Sequence, residues 1–193
     1  MLGMLKTEVE PTLADHLVTV SSPDSPTSQS AWPIYQAIKN SRVEFVQGDL
    51  FAQFTNNQSA VTHAVAADMA LGKGLALLVK KRFPKLVQQL KTEAKTQVAV
   101  GDVVVQPTVE GGGVRSDFLF HLVTKKVSRG YPTLADFKLA LTTLFDSLVE
   151  YGFKKVAMPK IGMGLDRLKA VDVLAALDEQ IERTGVDVVM IYL

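Results

Sequence analysis

A strand that runs through a glycine turn into a helix leaves few folds open, and residues 156–185 read as such a unit. Val156-Ala157-Met158 is a short apolar run of the kind that forms a buried strand. Pro159-Lys160-Ile161-Gly162-Met163-Gly164-Leu165-Asp166-Arg167-Leu168 follows it. From Asp166 to Gly185 the apolar residues Leu168, Val171, Leu174, Ala175, Leu177 and Ile181 recur at helical spacing. Such a turn exposes backbone N–H groups at a helix N-terminus, a favourable place for an anion such as a diphosphate. Gly162 and Gly164 permit backbone conformations and close approaches that a Cβ forbids. A plain tight turn with Asp166 as N-cap uses the same residues. The segment alone leaves both readings open.

The chain before this unit suggests a mixed sheet between helical layers. Val43 to Val46 and Val61 to Ala66 read as strands, with Gly48-Asp49-Leu50-Phe51 turning away after the first. Asp68 and the pair Gly72 and Gly74 precede a helical stretch from Leu75 to Phe83, and Pro84 suits the first turn of a second helix. Val98 to Val105 is strand-rich, and Gly111-Gly112-Gly113 is placed to close a hairpin with Phe118 to Thr124. Pro132 to Glu150 is amphipathic, with Gly152 as a helix stop. Lys155 to Met158, the Asp166 helix and a strand from Val186 to Tyr192 complete the expected order. Residues 1–40 differ: Ser21 to Ser30 is polar and proline-containing, too poor in apolar groups for a core. They read as an arm, with Trp32 as its one large anchor, and the domain proper as residues 41–193.

Composition removes several kinds of chemistry. There are no cysteines, which excludes disulfides, thiolate metal sites and a cysteine nucleophile. His16, His63 and His121 lack metal-motif spacing, so no metal or cofactor is expected. A net charge of +1 supplies no field that would draw nucleic acid or an anionic membrane. No apolar run is long enough for a membrane span, and the N-terminal residues lack the basic, apolar and small-residue pattern of a secretory signal, so none is expected. A monomer in the cytoplasm or nucleus is the default expectation. Neither a P-loop nor a dinucleotide glycine fingerprint is present, so a phosphate-bearing ligand would rest on loop amides.

Phe118 to Thr124 is an apolar strand that ends in Lys125 and Lys126. Alternation sends the two side chains to opposite faces, one toward a cleft and one toward solvent. Partial burial of a lysine leaves more of the neutral, nucleophilic amine. A solvated strand end explains the same pair. His63 and His121 each sit among apolar neighbours and read as hydrogen-bonded core residues.

Taken together and in order, Gly48-Asp49-Leu50-Phe51, His63 to Asp68, Gly72-x-Gly74-Leu75-Ala76, Lys80 to Phe83, Thr124-Lys125-Lys126 and Ile161-Gly162-x-Gly164-Leu165-Asp166-Arg167-Leu168 resemble a macrodomain. More narrowly they resemble the branch that includes terminal ADP-ribose protein glycohydrolase. The resemblance runs from about residue 43 to the C-terminus and implies a three-layer α/β/α fold around a mixed sheet. It implies that Asp49 recognises the adenine amino group with Leu50 beside the base. Gly72, Gly74 and Leu75 would line the distal ribose and phosphates, and Ile161, Gly162, Met163, Gly164 and Leu165 would form the diphosphate loop. Lys125 matches the branch's catalytic lysine, which attacks the anomeric carbon and displaces the modified glutamate; Asp166 matches the acid that resolves the lysyl adduct.

Asp68 keeps its place in the pattern and either holds a ribose hydroxyl or caps the following helix. Ala66 and Ala67 depart from the polar residues of the branch, and the Asn-Ala-Ala-Asn run of water-using macrodomains is missing. The implied activity is removal of ADP-ribose from protein glutamates. Alternatives are an ADP-ribose 1''-phosphate phosphatase, an O-acyl-ADP-ribose deacylase, or a reader that binds ADP-ribose without turnover. The cluster Lys80-Lys81-Arg82 with Lys85 complements a helix end, or meets nucleic acid or poly(ADP-ribose) in a fourth and weaker reading.

Overall fold

The computed structural model describes residues 41–53, 59–93, 98–108 and 117–192. The arm at residues 1–40 and the Gly111 to Gly113 turn lie outside the described residues. The elements run β1 (Glu44–Gln47), a 3-10 turn (Leu50–Gln53), β2 (Ala60–Ala66), α1 (Gly74–Arg82), α2 (Pro84–Glu93), β3 (Val103–Pro107), β4 (Phe118–Lys125), α3 (Leu134–Glu150), β5 (Lys155–Met158), α4 (Ala170–Thr184) and β6 (Asp187–Tyr192). One sheet orders its strands β1-β6-β5-β2-β4-β3. The first five are mutually parallel, and β3 pairs antiparallel with β4 at one edge. The mixed three-layer architecture expected from the sequence is the one observed.

Strand alternation divides the core in two. Phe120, Leu122, Val156, Met158, Val188 and Met190 pack against α3 and α4 on one face. Val61, Val65, Leu119, Val123, Ala157 and Val189 pack on the other, against Val79 of α1, Leu90 of α2 and Leu50 of the 3-10 turn. Both faces of the sheet are therefore dry, as parallel sheets require. Thr133 caps α3 by accepting the Asp136 N–H at 3.0 Å. Gly185, left-handed at φ 70°, ends α4.

Two boundaries differ from the sequence reading. The helix expected from Asp166 begins at Ala170, with Lys169 at its N-cap and no side-chain capping bond. Arg167, in the left-handed region at φ 60°, cannot continue a helix, and the Leu168 N–H turns back to the Gly162 carbonyl at 2.9 Å. Asp166 is thus a loop residue and caps nothing. The strand expected from Val98 begins only at Val103. Asp102 accepts the Ala99 N–H at 2.7 Å, and Gly101 at φ 99° lies under Leu139 of α3, so the chain turns before it pairs.

A buried polar chain crosses the second core. His63 and His121 face each other in the β2/β4 register, with Nε2 of the first 2.8 Å from Nδ1 of the second. His121 Nε2 lies 2.9 Å from Gln106 Oε1, and the Gln106 amide nitrogen donates to the Leu86 carbonyl at 3.2 Å. That last bond fixes the direction of the rest. The Gln106 oxygen must accept from His121, so His121 Nδ1 accepts from His63. His63 Nδ1 is left as a buried acceptor with no donor. Burial drives the His63 pKa from 6.5 down to about 4, and burial together with the neighbouring His63 drives His121 well below its usual value.

Both rings are neutral in the folded protein, whereas the unfolded chain takes up protons as pH falls through about 6.5. Their contribution is fully present above that pH and is lost as pH falls toward the folded value of about 4. His63 alone accounts for roughly 3 kcal/mol over that window. Urea unfolding at pH 7.5 and pH 5 should show a free energy about 2 kcal/mol lower at pH 5 from this ring. Equal stability at the two pH values would contradict the neutral pair.

Candidate active site at the strand ends

Because β1, β2, β4 and β5 run parallel, their C-terminal ends share one edge, where ligands of open α/β sheets gather. Lys125 is the last residue of β4. Val65 faces Val123 but Ala66 faces Lys125, so β4 carries one extra residue, Thr124, at a bulge. Thr124 is fully buried, and such a bulge re-aims the side chain that follows. Lys125 Nζ donates to Asp166 Oδ1 at 2.5 Å, with the side chains only 15% and 11% exposed. Lys126 is exposed. The lysine pair therefore splits into one mostly buried and one exposed side chain, with Lys126 already past the end of β4. Among the described residues Lys125 is the only bonding partner of Asp166.

The loop that carries Asp166 is anchored by its apolar side chains. Ile161 and Met163 are buried in the core beneath α3 and α4, and from Gly164 to Lys169 the loop is partly or fully exposed. Gly162, at φ 76°, has Leu168 and Phe137 packed where a Cβ would stand. The N–H groups of Gly162, Gly164, Leu165 and Asp166 have no acceptor among the described residues. Four unpaired donors in five residues make a concentrated partial positive charge suited to anionic oxygens. Lys160 precedes them, and partial burial lowers its pKa.

The facing loop, after β2, is strained. Met69 and Leu71 both have φ 45°, and with Arg167 they are the non-glycine residues with positive φ among those described. All three lie in the two loops at this edge. Burial of Met69 and Leu71, each 4% exposed, holds the conformation. Gly72 is open, and Gly74, at φ 55°, starts α1 with Leu165 Cδ1 3.1 Å from where its Cβ would be. Leu165, 64% exposed, thus reaches across from one loop to the other. Leu75 is partly buried on the second core.

Asp49, at the end of β1, is exposed and accepts the Phe51 N–H at 2.9 Å, while Leu50 is buried. Asp68 does not cap α1, whose N-cap is Lys73. Its carboxylate accepts from Ser128 N at 2.7 Å, from the Ser128 hydroxyl and from Ala70 N at 3.2 Å. Desolvation acts to raise its pKa, but the Ser128 and Ala70 hydrogen bonds and the charge of Lys125 prevail and hold it below the usual carboxylate value.

Three residues that the sequence did not single out for roles join the site. They are Ser128, Tyr131 and Arg167, whose guanidinium lies 4.9 Å over the Tyr131 ring. The turn composition Ser-Arg-Gly-Tyr-Pro, one residue after the lysine pair, is the one local hint. The cluster at Lys80 to Arg82 lies in the last turn of α1, with Arg82 5.5 Å over Phe51. A cavity of ≈320 Å3 opens at the opposite strand edge, near Tyr151 and Phe153, away from the lysine. Among the described residues no group of three metal-ligating side chains gathers.

The Macro domain family model matches residues 62–177, and the chain belongs to that family. It is 30% identical over 152 residues to the human (Homo sapiens) protein named ADP-ribose glycohydrolase OARD1, covering 78% of this chain and 91% of that one. Among solved structures it is similar to the macrodomain of Mycobacterium tuberculosis DarG, with a TM-score of 0.67, 26% identity and coverage of 78% of this chain and 97% of the other. The fold is also shared with Thermosipho africanus DarTG, solved in complex with ADP-ribose, at a TM-score of 0.63 and 19% identity, over 77% of this chain and 41% of that one.

The two loop glycines should behave differently. Gly162→Ala places a Cβ at positive φ against Phe137 and Leu168, whereas Gly164→Ala meets nothing within 4 Å. Urea unfolding should show a loss of about 1–3 kcal/mol for the first and under about 0.5 kcal/mol for the second. Similar losses for both would contradict the packing of the loop.

Proposed function

We propose that this macrodomain hydrolyses ADP-ribose from glutamate side chains of proteins, with Lys125 as nucleophile and Asp166 as proton carrier. The observation that carries the reading is the 2.5 Å contact between a mostly buried amine and a mostly buried carboxylate beside unpaired loop amides. The 30% identity to a protein named ADP-ribose glycohydrolase supports the same class of activity. In this reading the loop of residues 161–165 takes the diphosphate through its unpaired Gly162, Gly164 and Leu165 amides, Gly72, Gly74 and Leu75 border the distal ribose, and Asp49 with Leu50 receives the adenine. It assigns no sugar contact to Asp68, whose oxygens are engaged by Ser128 and Ala70.

The chemistry follows from the pair. The attacking form of a lysine is the neutral amine, so Lys125 must give up a proton before it can attack. Asp166 is placed to receive it. The neutral amine bonds to the anomeric carbon as the bond to the glutamate oxygen breaks, and the carboxylate leaves without needing a proton. The bond from the anomeric carbon to the ring oxygen then breaks as a nitrogen proton passes to that oxygen, which leaves a protonated imine on Lys125. Water adds to that carbon and gives a proton to solvent, Asp166 returns its proton to the departing amine, and free ADP-ribose is released. No metal or redox partner enters the balance.

The test is release of ADP-ribose from a glutamate-linked mono-ADP-ribosylated protein. Lys125→Ala and Asp166→Ala should each lower the rate by at least about 100-fold, the scale of losing a nucleophile or its acid–base partner. Full release by Lys125→Ala would end the lysyl mechanism. Binding of ADP-ribose without release by the parent protein would leave a reader.

A further inference from the structure

Two carboxylates approach Lys125, and their bonding divides their work. Asp166 touches the amine and, among the described residues, has no other partner. Asp68 senses the same charge, yet its oxygens already accept from three donors, two of them on Ser128. A carboxylate held by that many donors to its ionised form is poorly suited to carry protons. It is well suited to hold a segment still.

The segment it holds is the one that leaves β4 immediately after Lys125. The Ala67 N–H donates to the Lys125 carbonyl at 2.9 Å, and one residue further along β2's exit comes Asp68. Ser128 lies three residues beyond Lys125, in a turn closed by the Gly130 N–H on the Val127 carbonyl at 2.9 Å. At the far end of that turn Tyr131 is covered by Arg167, which immediately follows Asp166. Residues 126–131 are thus fastened on one side to the loop after β2 and on the other to the loop that bears Asp166.

We propose that Asp68 and Ser128 form a positioning latch that keeps the Lys125 amine on Asp166, so that Asp68 serves the site through the backbone after β4 and not through the sugar. This rests on the glycohydrolase reading for its effect on turnover, but not for its effect on the lysine itself. Displacement of a reacting group by about 1 Å costs on the order of 100-fold in rate, so a latch of this kind acts on the chemical step more than on ligand affinity.

Asp68→Ala, Ser128→Ala, their double variant and Ser128→Thr should be compared in two measurements. Single-turnover release should fall by about 10- to 100-fold in Asp68→Ala and Ser128→Ala, with little further loss in the double variant, while Ser128→Thr, which keeps the hydroxyl, restores most of the rate. The dissociation constant of free ADP-ribose should change by less than about twofold. An ADP-ribose affinity weakened about tenfold in Asp68→Ala, at an unchanged rate, would return Asp68 to the ribose. In the unliganded protein, acetylation of Lys125 by an N-hydroxysuccinimide ester, mapped by mass spectrometry against Lys126 as reference, should rise in both alanine variants. This second measurement holds whether or not the parent turns over, so the two proposals can fail separately. Unchanged labelling of Lys125 in both variants would overturn the latch.

Discussion

An amine and a carboxylate 2.5 Å apart, with side chains only 15% and 11% exposed, give up hydration that two separate ions would keep. Such a pair persists when the surrounding framework holds both partners in place. Here the framework is a set of parallel strands that end together. β4 delivers the lysine, the loop after β5 delivers the aspartate, and β2 lies between these strands in the sheet. The bulge at Thr124 and the left-handed turn at Arg167 are local departures from regular structure. One lies immediately before the lysine and the other immediately after the aspartate.

The support beneath the pair is of two kinds. Apolar packing holds the loop through Ile161 and Met163, which turn inward, while the amides of Gly162 and of Gly164 to Asp166 stay unbonded among the described residues. Polar bonding fixes the register of β2 against β4 through His63, His121 and Gln106, a few residues below the bulge. A slip of one residue in that pair would break the histidine chain and carry Lys125 to the other face. The histidines therefore contribute to the site without touching it, and their cost is a dependence of stability on acid.

The sequence showed the strand–turn–helix unit, the mixed sheet between helical layers, and the lysine at a strand end. Those features depend on periodicity and on glycine placement, which are local. It did not show where the last helix starts, because Arg167 adopts a left-handed φ that helical spacing from Leu168 onward conceals. Nor did it show that β3 waits until Val103, since that depends on an Asp102 turn packed under Leu139. The motif resemblance named Lys125 and Asp166 together. Their contact spans 41 positions, and the Asp68 to Ser128 contact spans 60, so neither could be read from spacing. The sequence left Asp68 between a ribose hydroxyl and a helix cap; in the folded chain Lys73 stands at the N-cap and the Asp68 oxygens accept from Ser128 and Ala70.

In the proposed reaction Lys125 becomes covalently attached to the sugar. Mixing the protein with a glutamate-linked ADP-ribosylated substrate and sodium cyanoborohydride would reduce an imine as it forms, and peptide mass spectrometry would locate it. A reduced ADP-ribose adduct is expected on Lys125 and none on the adjacent Lys126. Release of ADP-ribose under these conditions with Lys125 unmodified would contradict it.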